Sequence, residues 1–310
     1  MMNRIPVWFD TDIGVDDAAA LLVLHRAEAL EVTGISAVAG NVGVDHTYDN
    51  ARRVCRLAGA HYPVYRGADR PLRKELHIAA YVHGENGLGN AELPPSQEPE
   101  TTLCAWDALY QEALRRKGEL QVIAVGPLTN LAIALAKYPD LPAHLKRILI
   151  MGGAAQGGNV TPCAEFNIFA DPHAAQIVFK SGVPVVMCGL DVTLKAYLTP
   201  EETAEIAGHD SPVCRFFGES TQLLMAFHEK GMQPGLCLHD VCPVLFLTQP
   251  ELFQGEEAGV YVETRGNLTS GKTVTDLWSD KQFPEKNAFV VLDVDRQGFA
   301  AAVHSALLSY

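Results

Sequence analysis

Short, continuously apolar runs recur along the first two thirds of the chain, and most of them stop at a glycine or a polar residue. Patterns typical of helices lie between these runs, which cover residues 5–10, 30–41, 63–67, 120–125, 147–153 and 183–189. A strand without polar alternation is buried on both faces, so the pattern predicts a mostly parallel central sheet flanked by helices. We expect an α/β fold with a single domain, residues 1–310, and a ligand site outside the carboxyl ends of the strands.

The last third of the chain begins with helical patterns and ends with short strands. We expect helix from about residue 200 to 229, and a further helix that opens at His239 and Asp240. Two runs, 260–264 and 273–276, are typical of a hairpin, and residues 288–292 predict another strand before a C-terminal helix.

Composition and charge exclude several classes of partner. The formal net charge of −13 would repel the phosphate backbone of nucleic acid and an anionic membrane surface, so we expect neither as a partner. The most apolar long window, residues 120–136, contains Gly126 and Pro127 and is a poor membrane span. The residues before Asp10 include no apolar run of signal-peptide type, and the seven cysteines form no C-x-x-C pair. These features predict a cytoplasmic protein with reduced thiols.

An acidic segment follows the first predicted strand. It places four carboxylates, Asp10, Asp12, Asp16 and Asp17, within eight residues, and an apolar helical pattern begins directly afterwards. Several ionised carboxylates in a partly dry pocket repel one another unless a cation binds them. The hard oxygen ligands favour Ca²⁺ or Mg²⁺ over zinc, and we expect Gly14 to give the loop the freedom to fold around the ion. The alternative is that Asp16 and Asp17 only cap the helix.

The same segment resembles a known signature. Residues 10–17 read DTDIGVDD, which is similar to the D-x-D-P-G-x-D-D motif of the inosine-uridine preferring nucleoside hydrolases, with Ile13 in place of the proline. Further stretches stand in the order of that family and cover nearly the whole chain: residues 39–42, 83–84, 126–130, 151–153, 159, 164–167 and 239–240. Val241 replaces the proline that is common after His-Asp in the family.

The resemblance implies Ca²⁺-dependent hydrolysis of the N-glycosidic bond of ribonucleosides, in nucleoside catabolism and nucleotide salvage. The implied Ca²⁺ ligands are Asp12, Asp17, Asp240 and the main-chain carbonyl of Val125. Asp12 would also activate a metal-bound water, and Asn41 would orient the site. The implied substrate-binding residues are Asp16, Met151, Asn159, Glu165, Phe166 and Asn167. We also expect a homo-oligomer, either a dimer or a tetramer, with a small-molecule ribonucleoside as its substrate.

Two histidines are candidates for the acid that protonates the leaving base. His239 precedes the implied ligand Asp240, whereas His83 lies before a glycine-rich segment that we expect to be mobile. The presence of both resembles the inosine-uridine and pyrimidine-preferring members, which favours uridine, cytidine or inosine as the substrate. In the structural alternatives, His239 caps its helix, His83 and Glu165 are solvated, and Asn41 and Asn159 are left-handed turn residues.

Three other functions remain as alternatives. Residues 266–273 read GNLTSGKT and match the phosphate-binding loop of nucleotide hydrolases, but the β-branched residues that follow are not typical of the required helix. Asp10 and Asp12 are also similar to the nucleophile turn of aspartate-dependent phosphatases. The third alternative is a protein that binds ribosides with Ca²⁺ and does not cleave them.

Overall fold

The computed structural model describes residues 4–280 and 282–310. The strands are β1 (Ile5–Thr11), β2 (Leu30–Ala37), β3 (Val64–Arg66), β4 (Leu120–Ala124), β5 (Leu145–Met151), β6 (Val185–Cys188), β7 (Tyr197–Leu198), β8 (Leu236–Cys237), β9 (Phe253–Ala258), β10 (Val260–Val262), β11 (Thr273–Thr275) and β12 (Ala288–Val294). The helices are α1 (Val15–Arg26), α2 (Val44–Ala58), α3 (Ala80–His83), α4 (Ala105–Arg116), α5 (Thr129–Lys137), α6 (Phe166–Ala170), α7 (Pro172–Phe179), α8 (Leu190–Thr193), α9 (Pro200–Ala207), α10 (Pro212–Lys230), α11 (Val241–Thr248) and α12 (Arg296–Leu308). Leu141–His144 and Pro250–Leu252 form 3₁₀ turns.

One large sheet organises the molecule. Its strand order is β3-β2-β1-β4-β5-β6-β12-β9, and every neighbouring pair is parallel except β12 and β9. The chain moves from β1 outward to β3 and then returns to the other side of β1 with β4. The order therefore reverses between β1 and β4, and a crevice at this switch point is where ligands bind in such sheets.

Both faces of the sheet are covered by apolar side chains, as the continuous apolar runs predicted. Helix α1 is buried along Val15–Leu24 and packs against α2, α10, α11 and α12 on one face. Trp8, Val122 and Ile150 point to the other face, where they join a separate apolar cluster. The predicted single-domain α/β fold is confirmed, while the assignment of all residues 1–310 to that domain stays a prediction.

Two features of the last third differ from the sequence prediction. The helix expected over residues 200–229 is two helices, because Gly208 follows the end of α9 and Ser211 caps α10, with Pro212 in its first turn. Strand β9 was not predicted. Most of its side chains are exposed at the edge of the sheet, so its sequence, FQGEEA, lacks an apolar run.

The predicted hairpin is present, because β10 and β11 pair in antiparallel register. Strand β11 begins at Thr273, where a phosphate-binding loop would require the N-terminus of a helix. The nucleotide hydrolase interpretation is therefore wrong. Among the helices of the described ranges, none combines the length and the apolar character that crossing a membrane requires.

Candidate active site

A cavity of about 110 Å³ lies at the carboxyl ends of the central strands, near the switch point between β1 and β4. The predicted site residues in its wall are Asp16, Asn41, His83, Val125, Met151, Asn159, Glu165, Phe166, Asn167, His239 and Asp240. The remaining two, Asp12 and Asp17, are fully buried beside it. The fold thus brings together side chains that are up to 228 residues apart in the sequence.

Asp12 occupies a narrow cradle between two loops. A methyl group at Gly40 would lie 2.1 Å from its Oδ2 atom, and one at Gly126 would lie 2.7 Å from its Oδ1 atom. Oδ2 accepts a hydrogen bond of 2.7 Å from the main-chain N–H of Asn41. Oδ1 is buried and has no hydrogen-bond partner in the part of the chain that the structure describes. One carboxylate oxygen is thus held, and the other is left for a ligand outside the chain.

Three further carboxylates form a cluster next to Asp12. One oxygen from each of Asp16, Asp17 and Asp240 lies within 4.8 Å of the others. Burial, followed by the charge of Asp17, raises the pKa of Asp16 to about 8, and burial raises the pKa of Asp240 well above its ordinary value. The same two causes raise the pKa of Asp12.

This donor set fits a hard divalent cation. A bound cation would offset the free-energy cost of burying the ionised carboxylates and the repulsion among them. Among the described residues, no lysine or arginine pairs with these carboxylates, and the nearest basic group to Asp16 is His83, 3.9 Å away. Asp240 occupies the N-cap position of α11, but its side chain makes no capping hydrogen bond. Asp240 is therefore not used to cap α11, and neither is His239, which precedes the cap position.

The capping alternative holds for Asp17. Its Oδ2 atom accepts the N–H of Gly14, at the start of α1, over 2.8 Å, and its Oδ1 atom accepts the hydroxyl of Thr11 over 2.6 Å. Asn41 also donates to Oδ2 through its side-chain amide, at 3.1 Å. These bonds fix the orientation of Asp17 beside the carboxylates of Asp12, Asp16 and Asp240.

The role expected for Gly14 was wrong. Its φ of −101° is open to any residue, so the loop does not depend on glycine for backbone freedom. A methyl group at this position would instead lie 2.5 Å from Nδ2 of Asn41 and 2.6 Å from Nδ1 of His83. Gly14 thus leaves room for two side chains of the site.

Asp10 belongs to the fold and not to the acidic cluster. Its Oδ1 atom accepts hydrogen bonds from the hydroxyl of Ser36 on β2 and from the amide of Asn130 on α5. Burial raises the pKa of Asp10 to about 7. Asp10 is fully buried and its Oδ1 atom is bound by two neighbouring side chains, so it is badly placed to be a phosphatase nucleophile.

The loop after β5 supplies the opposite wall. Glu165 caps α6, and its carboxylate accepts the main-chain N–H groups of Asn167, Ile168 and Gly153 at 2.9, 3.2 and 2.8 Å. Glu165 is buried, so the solvated alternative is wrong, and burial raises its pKa to about 7. Asn159 accepts the N–H of Phe166 through its side-chain oxygen, over 2.9 Å.

Asn167 joins the ends of two strands. Its side-chain amide donates to the carbonyl of Val125 over 2.8 Å and to that of Met151 over 3.1 Å. Neither Asn41 nor Asn159 has a positive φ in the described ranges, so the left-handed turn alternative is wrong for both. Asp191, which follows β6, accepts the N–H groups of residues 155 and 156 in the loop after β5.

His83 and His239 are both in the cavity wall. His83 ends helix α3 and is buried, so the alternative in which it is solvated is wrong. Its Nδ1 atom accepts the N–H of Val15 over 3.2 Å. Nδ1 of His239 lies 2.8 Å from Oγ1 of Thr193. Burial lowers the pKa of His83 to about 4 and that of His239 to about 3, so both rings are neutral near pH 7.

Sequence reasoning missed the contribution of α10. Three residues at helical spacing on this helix line the same cavity: Leu224, Phe227 and His228. His228 is buried, and its ring centroid lies 6.0 Å from that of His239. The only sequence signal was the spacing of these residues on one helical face, which is also typical of core positions.

Known proteins are similar to this chain over nearly its whole length. The family model described as inosine-uridine preferring nucleoside hydrolase matches residues 7–301. A pyrimidine-specific ribonucleoside hydrolase, RihA, from Citrobacter koseri is 43% identical over 311 residues, which are 99% of each chain. A non-specific ribonucleoside hydrolase, RihC, from Escherichia coli is 39% identical over 98% of each chain. In the solved structure of a purine-preferring ribonucleoside hydrolase from Gardnerella vaginalis, 98% of each chain superposes with a TM-score of 0.92 and 31% identity.

Proposed function

This chain belongs to the inosine-uridine preferring nucleoside hydrolase family, and on that premise we propose how its residues cleave ribonucleosides. The enzyme is an N-glycosidase that hydrolyses the bond between base and ribose. The observation that carries the proposal is the buried Oδ1 atom of Asp12, which has no partner in the described ranges and adjoins a cluster of three more carboxylates.

We propose Ca²⁺ as the cofactor, held by Asp12, Asp17, Asp240 and the main-chain carbonyl of Val125. The carboxylates are hard oxygen donors, and a set of this kind suits a large cation with six to eight oxygen ligands. When bound, Ca²⁺ would orient the ribose diol and lower the pKa of the attacking water. Asn41 positions two of these ligands, because its main-chain N–H binds Asp12 and its side chain binds Asp17.

Asp12 accepts the proton of the attacking water. Breaking the N-glycosidic bond develops positive charge on the ribose ring, as in other glycosidases. The surrounding carboxylates stabilise that charge, while Asp16, Asn159, Glu165 and Asn167 hold the ribose hydroxyls. Met151 and Phe166 line the same cavity and contact the substrate.

We propose pyrimidine nucleosides and inosine as the substrates. The similar proteins include a pyrimidine-specific and a non-specific ribonucleoside hydrolase, which supports uridine and cytidine as substrates. A reducing-sugar assay across inosine, adenosine, guanosine, uridine and cytidine tests the proposal. Riboside binding without sugar release would instead indicate a noncatalytic binding protein.

The leaving base departs as an anion unless a group protonates it, and we propose His239, assisted by His83. The base nitrogen takes the proton of His239, which solvent replaces, and Asp12 releases to solvent the proton that it took from the attacking water, so the protons balance over one turnover. We expect His239→Ala to lower kcat on uridine about 100-fold and to change kcat on p-nitrophenyl riboside less than threefold. The leaving group of the second substrate needs no proton.

The same two substrates, assayed with His83→Ala, show whether the second histidine takes part. Equal losses on both substrates would assign either residue to binding or structure. His144→Ala, a substitution in the 3₁₀ turn Leu141–His144, is the control and should change neither rate.

We propose that Glu165 and Asn159 lie at the 5′ end of the ribose and select a free hydroxyl. A carboxylate attracts the hydroxyl as a hydrogen-bond donor and repels a phosphate. We expect kcat/KM for uridine 5′-monophosphate to be at least about tenfold below that for uridine. Glu165→Gln should reduce the difference in kcat/KM between the two substrates. If the wild-type enzyme has comparable kcat/KM values for both, Glu165 and Asn159 do not lie at the 5′ end of the ribose.

The cytoplasmic location, the role in nucleoside salvage and the homo-oligomeric state stay predictions. Analytical ultracentrifugation of the purified protein tests whether it is a dimer or a tetramer.

A further inference from the structure

His228, Cys237 and His239 form a second cluster of possible ligands beside the active site. One side-chain atom from each lies within 4.8 Å of the others. Two imidazoles and a thiol are typical ligands of a soft metal ion such as Zn²⁺. A hydrogen bond at His228 argues against this interpretation and indicates a different use for the side chain.

The main-chain N–H of Cys237 points at Nδ1 of His228, with a donor-acceptor distance of 3.3 Å. A main-chain N–H only donates, so Nδ1 must be the acceptor and carries no proton. A neutral ring with a bare Nδ1 has its proton on Nε2, which makes Nε2 a hydrogen-bond donor and not a metal ligand.

The ring is neutral because a protonated imidazole would oppose one N–H to another at Cys237. Burial acts in the same direction and lowers the pKa of His228 to about 4. In the described part of the chain, Nε2 has no hydrogen-bond partner, although His228 is only 6% exposed and lines the cavity. The fold therefore holds a single N–H donor in a fixed tautomer on a ring that lines the cavity.

We infer that His228 is a specificity-determining residue whose Nε2–H donates to the carbonyl oxygen beside the scissile nitrogen of a pyrimidine base. The inference rests on the proposed function and deepens it. His228 lines the cavity from α10, and its ring centroid lies 6.0 Å from that of His239, the proposed acid for the leaving base, so both rings are placed to meet the base.

The chemistry of the leaving group supports this assignment. When the bond from ribose to the pyrimidine nitrogen breaks, its electron pair stays on the base, and the charge is shared with the adjacent carbonyl oxygen. A neutral N–H aimed at that oxygen stabilises the charge without giving up its proton, and the nitrogen receives its own proton from the leaving-group acid. A purine has no carbonyl beside the scissile nitrogen, so this bond favours pyrimidines.

The test compares two variants of His228 on uridine and on p-nitrophenyl riboside. We expect His228→Phe, which keeps a ring but has no donor, to lower kcat/KM for uridine about tenfold. The value for p-nitrophenyl riboside should change less than threefold, because that leaving group has no such carbonyl. His228→Gln should recover most of the loss, since its amide N–H reaches a position similar to Nε2. His144→Phe, the same substitution far from the cavity, should change neither value.

Equal losses on both substrates, an unchanged value for uridine, or no recovery in His228→Gln would overturn the inference. A second measurement is the ¹⁵N NMR spectrum of wild-type enzyme labelled at histidine. It shows which ring nitrogen of His228 carries the proton, even if His228→Phe does not fold. A proton on Nε2 supports the inference, and a proton on Nδ1 overturns it. If wild-type enzyme releases ribose from neither substrate, the proposed function itself fails, whereas an active enzyme with an unselective His228→Phe variant refutes only the role of His228.

Discussion

The Asp12→Asn variant should lose at least about 100-fold in kcat while it keeps its fold, because the substitution removes the proposed general base. The amide oxygen can still accept the N–H of Asn41 at the position of Oδ2. The amide nitrogen then takes the position of Oδ1, the oxygen without a partner in the described ranges, and cannot accept a proton there. The measurement is kcat on uridine, with circular dichroism to confirm folding.

Asp10→Asn is a matched control two residues away. Both aspartates are buried, but Asp10 binds Ser36 and Asn130, whereas Asp12 interacts with the charges of Asp16 and Asp17. We expect this variant to keep kcat within about threefold and to lose about 1–3 kcal/mol of unfolding free energy, since its new amide N–H groups are buried without an acceptor. Near-wild-type turnover in a folded Asp12→Asn protein would place the base elsewhere.

The sequence predicted the location of the site because location depends on the strands. Continuous apolar runs identified β1, β2, β4, β5 and β6, and parallel strands bring their carboxyl ends to one edge. Such runs end at or just before four of the site residues: Asp12, Asn41, Val125 and Met151. Their convergence was therefore predictable before any of their contacts was known. What made the edge chemically specific was the density of carboxylates after β1.

The individual contacts were less predictable because they depend on residues far away in the chain. Asp10 and Asp12 look equivalent in the acidic segment, yet Asp10 is bound by Ser36, 26 residues away, and by Asn130, 120 residues away. Gly14 was expected to supply backbone freedom, whereas its role is to make room for Asn41 and His83. Such steric requirements depend on contacts between loops that are distant in the sequence, so a local sequence pattern does not predict them.

His228 shows the limit of helical periodicity. Its position on α10, one turn after Leu224, places it on the inward face, but periodicity does not distinguish a core position from a cavity wall. The fixed tautomer depends on Cys237, which reaches the ring through a turn and the short strand β8. Tertiary contacts of this kind also explain why the break between α9 and α10 and the exposed strand β9 were not predicted.

Prolonged treatment with a chelator should abolish activity, and added Ca²⁺ should restore it better than Mg²⁺ does. Mg²⁺ demands near-ideal octahedral geometry and gives up its waters reluctantly, whereas the buried carboxylate cluster must leave space for a ribose diol. Ca²⁺ should also stabilise the fold, because it binds the native cluster and relieves repulsion among Asp16, Asp17 and Asp240. At a concentration 100-fold above its Kd, the stabilisation is about 2.7 kcal/mol, which corresponds to an increase in Tm of roughly 5 °C.

The variants separate a specific site from a general salt effect. Asp240→Asn removes one charge of the cluster and should lose most of the Ca²⁺-induced increase in Tm, whereas Asp10→Asn should keep it, since Asp10 is absent from the cluster. Calorimetric titration of the two metal-free variants with Ca²⁺ compares their affinities for the ion without relying on activity. Full turnover in a demonstrably metal-free preparation would refute the cofactor, and an equal response of both variants would place the ion outside the cluster.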